Sequence, residues 1–429
     1  MAEEIRKKLM TAAVQANIAL GIALADRLNL FQALAASGSE GSPAHYSDVA
    51  KNASLKPRYT KELLALLACS DVIEVTPDGD HFFIPDSSRE IFTSEIKDKA
   101  LAMCSFVPLH ASVYESIVEV IKSDGPLGMD YSNYGSFYGI MDHDVIEVTP
   151  DGDHFFIPDS SREIFTSEIK DKALAMCSFV PLHASVYESI VEVIKSDGPL
   201  GMDYSNYGSF YGIMDQFSIA LHKKHLVPDL IPMTGMKEKL IEGIQFLDVG
   251  CGSGFHACEL AQAFPKSHFT GIDLTDSAIE KANERKSQML LPNVEFFQQN
   301  AKSMSPEWSD KFEMVMIFDA CHDQCRPDLA IKEIYRVLKP GGIFAMVEID
   351  GTSNVHEDKS TFGPAACAFY SASVFHCLAV GSNSEDALGM GTMMGTKKGT
   401  KLLNDAGFEN VKVHKIPFFE FNVLYLAQK

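Results

Sequence analysis

The chain has 429 residues, 46% of them hydrophobic, which is enough for two or three domains with their own cores. A formal net charge of -21 and a pI near 5.0 argue against a nucleic-acid or anionic-membrane partner, since both require a basic face. No run of about 18 uninterrupted apolar residues occurs, so no membrane partner is expected, and nine cysteines without framework spacing point to a reducing, cytoplasmic setting.

The first ten residues are charged and helical in character, with no cleavage-type signal. Thr11 to Ala36 is apolar but carries Gln15, Asn17, Asp26 and Arg27, which predicts a buried or partner-packing helix. Ser47 is expected to cap a short helix over Asp48 to Asn52. Ser54-Leu55-Lys56-Pro57 makes a turn, and Arg58 to Cys69 forms a second, amphipathic helix. Asp71 to Val75 and His81 to Ile84 flank Pro77-Asp78-Gly79-Asp80, a hairpin signal. Helix, turn, helix and hairpin within residues 1–95 read as a winged helix-turn-helix. DNA binding stays open because Lys56, Arg58 and Lys61 begin the would-be recognition helix, although three cations are thin against so acidic a background.

Residues 71–142 recur without a substitution as residues 144–215, with His143 between them. The block is too long and too uniform for a solenoid repeat, and it means a very recent duplication or an exon counted twice. Each copy holds thirteen acidic and four basic residues, so the parent chain is less acidic than it looks. The start of copy one (Asp71 to Ile84) follows directly on the preceding helix and is expected to form the hairpin, because loop closure costs least for the nearest strand. The end of copy two (Thr166 to Asp215) runs straight into Gln216, so its linker and Tyr204-Ser205-Asn206-Tyr207 are expected to dock on the downstream domain. The stretch from about Ser94 to Ile164 is then surplus, expected to pack poorly, compete with the native copy or swap with a second chain.

From residue 220 onward the organisation is α/β. Phe246-Leu247-Asp248-Val249-Gly250-Cys251-Gly252-Ser253-Gly254 reads as a buried parallel strand turning into a helix (Phe255 to Phe264) through a loop almost without side chains, over which a ligand can approach the backbone. A second strand, His268 to Asp273, ends in a carboxylate where doubly wound folds place the acid that grips a ribose. Helix Ser277 to Leu290 follows, then a third strand, Val294 to Gln298, running into Asn300-Ala301. The fourth strand, Phe312 to Phe318, ends at Asp319-Ala320-Cys321-His322-Asp323. Helix Pro327 to Leu338 closes on Lys339-Pro340-Gly341-Gly342, and a fifth strand spans Ile343 to Glu348. Thr361 to Met394 is a helical, glycine-punctuated insertion, Lys397 to Ala406 a helix, and Val411 to Ile416 with Phe419 to Ala427 a terminal antiparallel hairpin. Each polar residue also has a plainer reading: the glycines as a tight turn, Asp273 as a helix cap, Asn300 as a turn residue and His322 as a cap for the next helix. Cys321-His322-Asp323-Gln324-Cys325 has no second cysteine pair at zinc-site spacing, so no metal is expected.

The D-x-G-x-G-x-G phrase, the acid of the second strand, Asn300 and Val-Leu-Lys-Pro-Gly-Gly resemble, in this order, the class I S-adenosylmethionine (SAM) dependent methyltransferases. The N-terminal segment resembles, more loosely, the winged helix through which small-molecule O-methyltransferases dimerise. The resemblance implies a Rossmann-like doubly wound sheet closed by an antiparallel hairpin over 220–429. It implies SAM as cofactor, held by Asp248, Gly250, Gly252, Gly254, Asp273, Leu274, Asn300, Ala301 and Asp319. It further implies a homodimer and methyl transfer to a small-molecule acceptor, at a hydroxyl. His322, at the carboxyl end of the fourth strand, is the expected base, with His376 as rival. A SAM-sensing DNA-binding regulator, and transfer to nitrogen, sulfur or arsenic, are the alternatives.

Overall fold

In the computed structural model of the chain, residues 2–94, 98–112, 114–122, 147–148, 155–156, 162–167, 171–208 and 210–429 are described. They fall into two compact units, Met1–Pro199 with Asn354–His376, and Leu200–Ser353 with Cys377–Lys429.

The second unit is built on seven strands: β1 (Gln245–Val249), β2 (His268–Asp273), β3 (Val294–Gln298), β4 (Phe312–Phe318), β5 (Leu338–Ile349), β6 (Glu409–Lys415) and β7 (Asn422–Gln428). Their order across the sheet is β6-β7-β5-β4-β1-β2-β3. The pairs from β3 to β5 are parallel, and β7 runs antiparallel to both β5 and β6. Neighbouring side chains along a strand point to opposite faces, and the two cores obey that period. Phe246, Met314 and Ala345 join the cluster with Leu260 and Phe269, whereas Leu247, Val315 and Met346 join the one with Ile331 and Ile334. Burial on both faces explains why β4 reads as an unbroken apolar run. The chain turns outward on one side of β1 through β2 and β3, and on the other through β4 and β5. Such a reversal leaves a crevice at the carboxyl ends of the strands. The doubly wound α/β architecture with a terminal hairpin is therefore present as expected, with β5 longer at both ends than Ile343 to Glu348.

In the first unit, the apolar stretch expected as one helix is two, Ala2–Arg27 and Leu30–Ser37. Asn29 separates them in the left-handed region at φ 54°, a conformation asparagine tolerates better than most residues. Helix Tyr46–Ala53 is capped by the His45 ring, which accepts the Ser47 N–H, and not by the Ser47 hydroxyl. His45 wins because its extended backbone lies just outside the first turn. Helix Pro57–Cys69 follows, with Pro57 in its first turn. The hairpin Glu74–Val75 and His81–Phe83 gains a third strand, Ala44–His45. Among the described residues, two helices are by length and composition able to cross a membrane, Ala2–Arg27 and Pro364–Gly381, with mean hydropathy 1.4 and 1.3, and the bent pair Lys172–Ser185 and Tyr187–Ile194 makes a third if it is one span; counting only uninterrupted apolar runs overlooks them.

The identical copies occupy different environments. Helix Tyr187–Ile194 of copy two is seated: Tyr187 is 5% exposed, Val191 3% and Ile194 0%. Its counterpart in copy one, helix Tyr114–Ile121, has Tyr114 at 47%, Val118 at 36% and Ile121 at 77%. The seat is specific, because Lys56 N–H donates to the Ile194 carbonyl at 2.9 Å and Ser196 N–H to that of Ser54 at 3.0 Å. In the hairpin the roles reverse: the copy-one strand His81–Phe83 pairs with Ala44–His45, while among the described residues 147–148 and 155–156 pair with each other alone. Copy two is divided between the units, its residues up to Pro199 lying in the first and those from Leu200 in the second. Most of the stretch read as surplus, including 123–146 and 157–161, lies outside the described residues.

One residue type in one local sequence thus meets two environments. Ile194→Ala should cost about 2–5 kcal/mol, as for a buried aliphatic side chain, and Ile121→Ala within about 0.5 kcal/mol. Urea unfolding of the two variants checks this, and equal losses would mean that the copies share the seat.

Candidate active site

At the carboxyl ends of β1, β2 and β4 lies a cavity of about 400 Å³, the size range of small-molecule and cofactor sites. The loop after β1 forms its floor. Gly250, Gly252 and Gly254 all have positive φ, at 69°, 52° and 74°, so each needs a residue without a Cβ penalty. Their surroundings separate their roles. A Cβ on Gly250 would meet the Ala320 Cβ at 2.8 Å, and one on Gly254 would meet Phe296 at 2.7 Å and Ala282 at 2.9 Å. A Cβ on Gly252 would meet nothing within 4 Å. Gly254 is therefore required by packing behind the loop, where it precedes helix Phe255–Ala263, and Gly252 lies under open space.

Asp273, the last residue of β2, fastens this loop: its Oδ2 accepts the Gly252 N–H at 3.0 Å and its Oδ1 the Thr275 N–H at 3.1 Å. The cap of the following helix is Thr275, which accepts the Ala278 N–H, so Asp273 is left to face the cavity. Gly250, Gly252, Asp273, Leu274, Asn300, Ala301 and Asp319 line the wall. Asn300 is also a turn residue, its Oδ1 accepting the Lys302 N–H at 3.1 Å. Asp248 and Gly254 are absent from the wall. Asp248 is buried inside the sheet, opposite Gly271 and Met316, where burial and then the Asp273 charge push its carboxyl up to about 7.

The end of β4 presents a second cluster. Asp319 has φ 46°, a strained setting for a residue with a side chain, and its Oδ1 accepts from Asn422 at 2.7 Å. Burial and then Glu348 push Asp319 up to about 8. His322 is 3% exposed and does not reach the wall, which Asp323 lines in its place. The ring donates from Nδ1 to Glu348 Oε2 at 2.6 Å and turns Nε2 to Asp323 Oδ1 at 3.4 Å. Burial disfavours charge on this imidazole, but Glu348 and Asp323 overcome it and hold its pKa well above the ordinary value. Helix Pro327–Val337 takes Arg326 as its N-cap residue, so His322 has no capping role. His376 belongs to the other unit, buried near His183.

Sequence reasoning placed Tyr204 to Tyr207 near this domain but did not foresee what the segment does. The Tyr204 hydroxyl donates to Asp323 Oδ2 at 3.3 Å. Tyr211 pairs with the Thr275 hydroxyl at 2.7 Å beside Asp273. Asp215 accepts from Ser253 and from Arg285, both at 2.6 Å. Three residues of copy two thus brace the glycine loop and both acids. The available signal was the continuity of this copy with Gln216, which gave the place but not the partners.

Gly254→Ala should therefore cost about 1–3 kcal/mol of folding stability through overpacking. Gly252→Ala should lose only the roughly 1–2 kcal/mol of a left-handed backbone. Thermal unfolding of the pair measures the difference, and a larger loss at Gly252 would mean that packing, not access, selected its glycine.

Residues 240–407 match the methyltransferase domain family. Over 104 residues the chain is 35% identical to a fatty-acid O-methyltransferase of Mycolicibacterium smegmatis, covering 24% of this chain and 36% of that protein. Over 125 residues it is 29% identical to a probable phthiotriol/phenolphthiotriol dimycocerosates methyltransferase of Mycobacterium ulcerans, covering 29% and 47%. The chain thus spans less than half the length of these curated relatives. An O-methyltransferase family 2 protein from Planctomyces limnophilus, solved in complex with apigenin, shares the fold with a TM-score of 0.57 at 15% identity, over 99% of this chain and 96% of that one. Residues 240–407 therefore form a methyltransferase domain, and the sheet order and glycine loop agree with that match.

Proposed function

We propose that the chain binds SAM in this cavity and transfers its methyl group to the oxygen of a small-molecule acceptor. The observation that carries the reading is Gly252, the one loop glycine with free space above it, fastened by a carboxylate that also faces the cavity. Gly250 and Gly252 would lie under the cofactor, Asp273 would accept from its ribose hydroxyls, and Asn300, Ala301 and Leu274 would flank its base. When bound, SAM supplies an electrophilic methyl on a sulfonium.

The protein's own part is positioning and proton removal. Asp323 lies on the wall beside the buried His322, so an acceptor proton passes to the Asp323, His322 and Glu348 cluster. A cationic ligand nearby lowers the affinity of His322 for its own proton, so cofactor binding and base activation favour each other.

Among the described residues of the first unit, nothing favours the regulator. Arg58 pairs with Glu62, Lys61 with Asp80, and Lys56 donates to the Val193 and Pro199 carbonyls, so the cations a recognition helix would offer phosphate are engaged within the protein. In this proposal residues 1–95 form a winged-helix dimerisation domain of a cytoplasmic homodimer.

Gly252→Val should abolish SAM binding, and Asp273→Ala should weaken it by about 1.5–3 kcal/mol, as for a lost charged hydrogen bond. Calorimetric titration measures both, and unchanged affinity in the two variants would sink the cofactor assignment. His322→Ala should keep SAM binding and cut turnover by roughly 10²–10⁴-fold.

A further inference from the structure

Cys377 stands beside His322 and Asp323 although the sequence separates them by a whole helix and most of the insertion. One ligand atom from each, the imidazole nitrogen, a carboxylate oxygen and the thiol sulfur, lie within 4.8 Å of one another; His322 and Cys377 are buried and Asp323 lines the cavity. A tetrahedral zinc ion at about 2.0–2.3 Å from such atoms sets them roughly 3.3–3.8 Å apart, so small side-chain rotations close the shell. The cysteines nearest His322 in sequence serve elsewhere: Cys321 packs in the core and Cys325 donates to the Val380 carbonyl.

Two further observations favour a cation here. A histidine that ligates a metal through one nitrogen almost always donates its other N–H to a carboxylate, and His322 Nδ1 does so to Glu348 at 2.6 Å. Glu348 is itself fixed, its Oε1 accepting the Cys321 and His322 N–H groups at 3.0 and 3.2 Å. The second observation is position: the Asp323 carboxylate stands 3.4 Å from Nε2, the ring nitrogen that does not face Glu348, and the Cys377 thiol lies within 4.8 Å of both, so three donors of metal-binding type meet in one place.

We propose that His322, Asp323 and Cys377 bind one zinc ion, with Glu348 orienting the imidazole and Asp323 on the cavity side. A thiolate, imidazole and carboxylate set suits Zn²⁺ over Mg²⁺ or Ca²⁺. The site stands on its own geometry and does not depend on the methyl-transfer reading.

The test uses the full chain, stripped of metal and titrated separately with Zn²⁺ and Co²⁺. One equivalent should bind, and the cobalt form should show tetrahedral visible bands with a thiolate-to-cobalt band in the near ultraviolet. Cys377→Ser should lose the thiolate band. Glu348→Gln, which keeps all three ligands, should weaken zinc binding by roughly 10–100-fold. X-ray absorption of the unmodified zinc protein should show one sulfur in the shell, a readout that needs no variant to fold. Zinc binding no tighter to the unmodified chain than to Cys377→Ser, or a shell without sulfur, would mean an adventitious ion only and overturn the site. SAM titration of the metal-free chain, run in parallel, tests the cofactor reading separately.

Discussion

The arrangement depends on acids meeting at one edge of a parallel sheet. Asp248, Asp273, Asp319 and Glu348 come from β1, β2, the end of β4 and β5, and parallel strands deliver their carboxyl ends to the same side. Left alone, such groups would protonate or force the edge apart. Asp248 and Asp319 hold their protons more tightly, while fixed donors meet the others: the Gly252 and Thr275 amides at Asp273, and the Cys321 and His322 amides at Glu348. The glycine loop is part of the same solution, because only a backbone without side chains can turn its amides toward Asp273 and leave room above. What remains is a concave surface of negative potential, suited to a cationic ligand.

Features encoded within a few residues were legible in the sequence. The strand-loop-helix of residues 245–263, the acid closing β2 and the Lys-Pro-Gly-Gly phrase near the start of β5 each carry a local pattern whose physics needs no distant partner. The sheet order followed because alternating strands and helices leave few topologies.

What sequence could not give depends on residues meeting across the fold. Cys377 belongs to a glycine-punctuated insertion with no spacing relation to His322. Tyr204, Tyr211 and Asp215 come from the second copy, and an identical triplet exists 73 residues earlier, so composition alone could not choose between them. The Asp248 and Gly254 positions show the converse limit: a motif names the residues that share a loop but not which side of it each one serves. The cap at His45 and the break at Asn29 were misread because serine and an apolar run are statistical signals, whereas backbone angles decide the outcome.

The duplicated block behaves as a natural experiment on selection. Its hairpin half is held in place in copy one, and its helical half is held in copy two. Neither copy is therefore wholly exempt from purifying selection, and neither is wholly subject to it. If the block is a duplication in the gene and not an exon counted twice, drift should erode the copies as a mosaic, with early positions changing in the second and late positions in the first. The original single block would then survive only as a composite, split between two stretches of one chain.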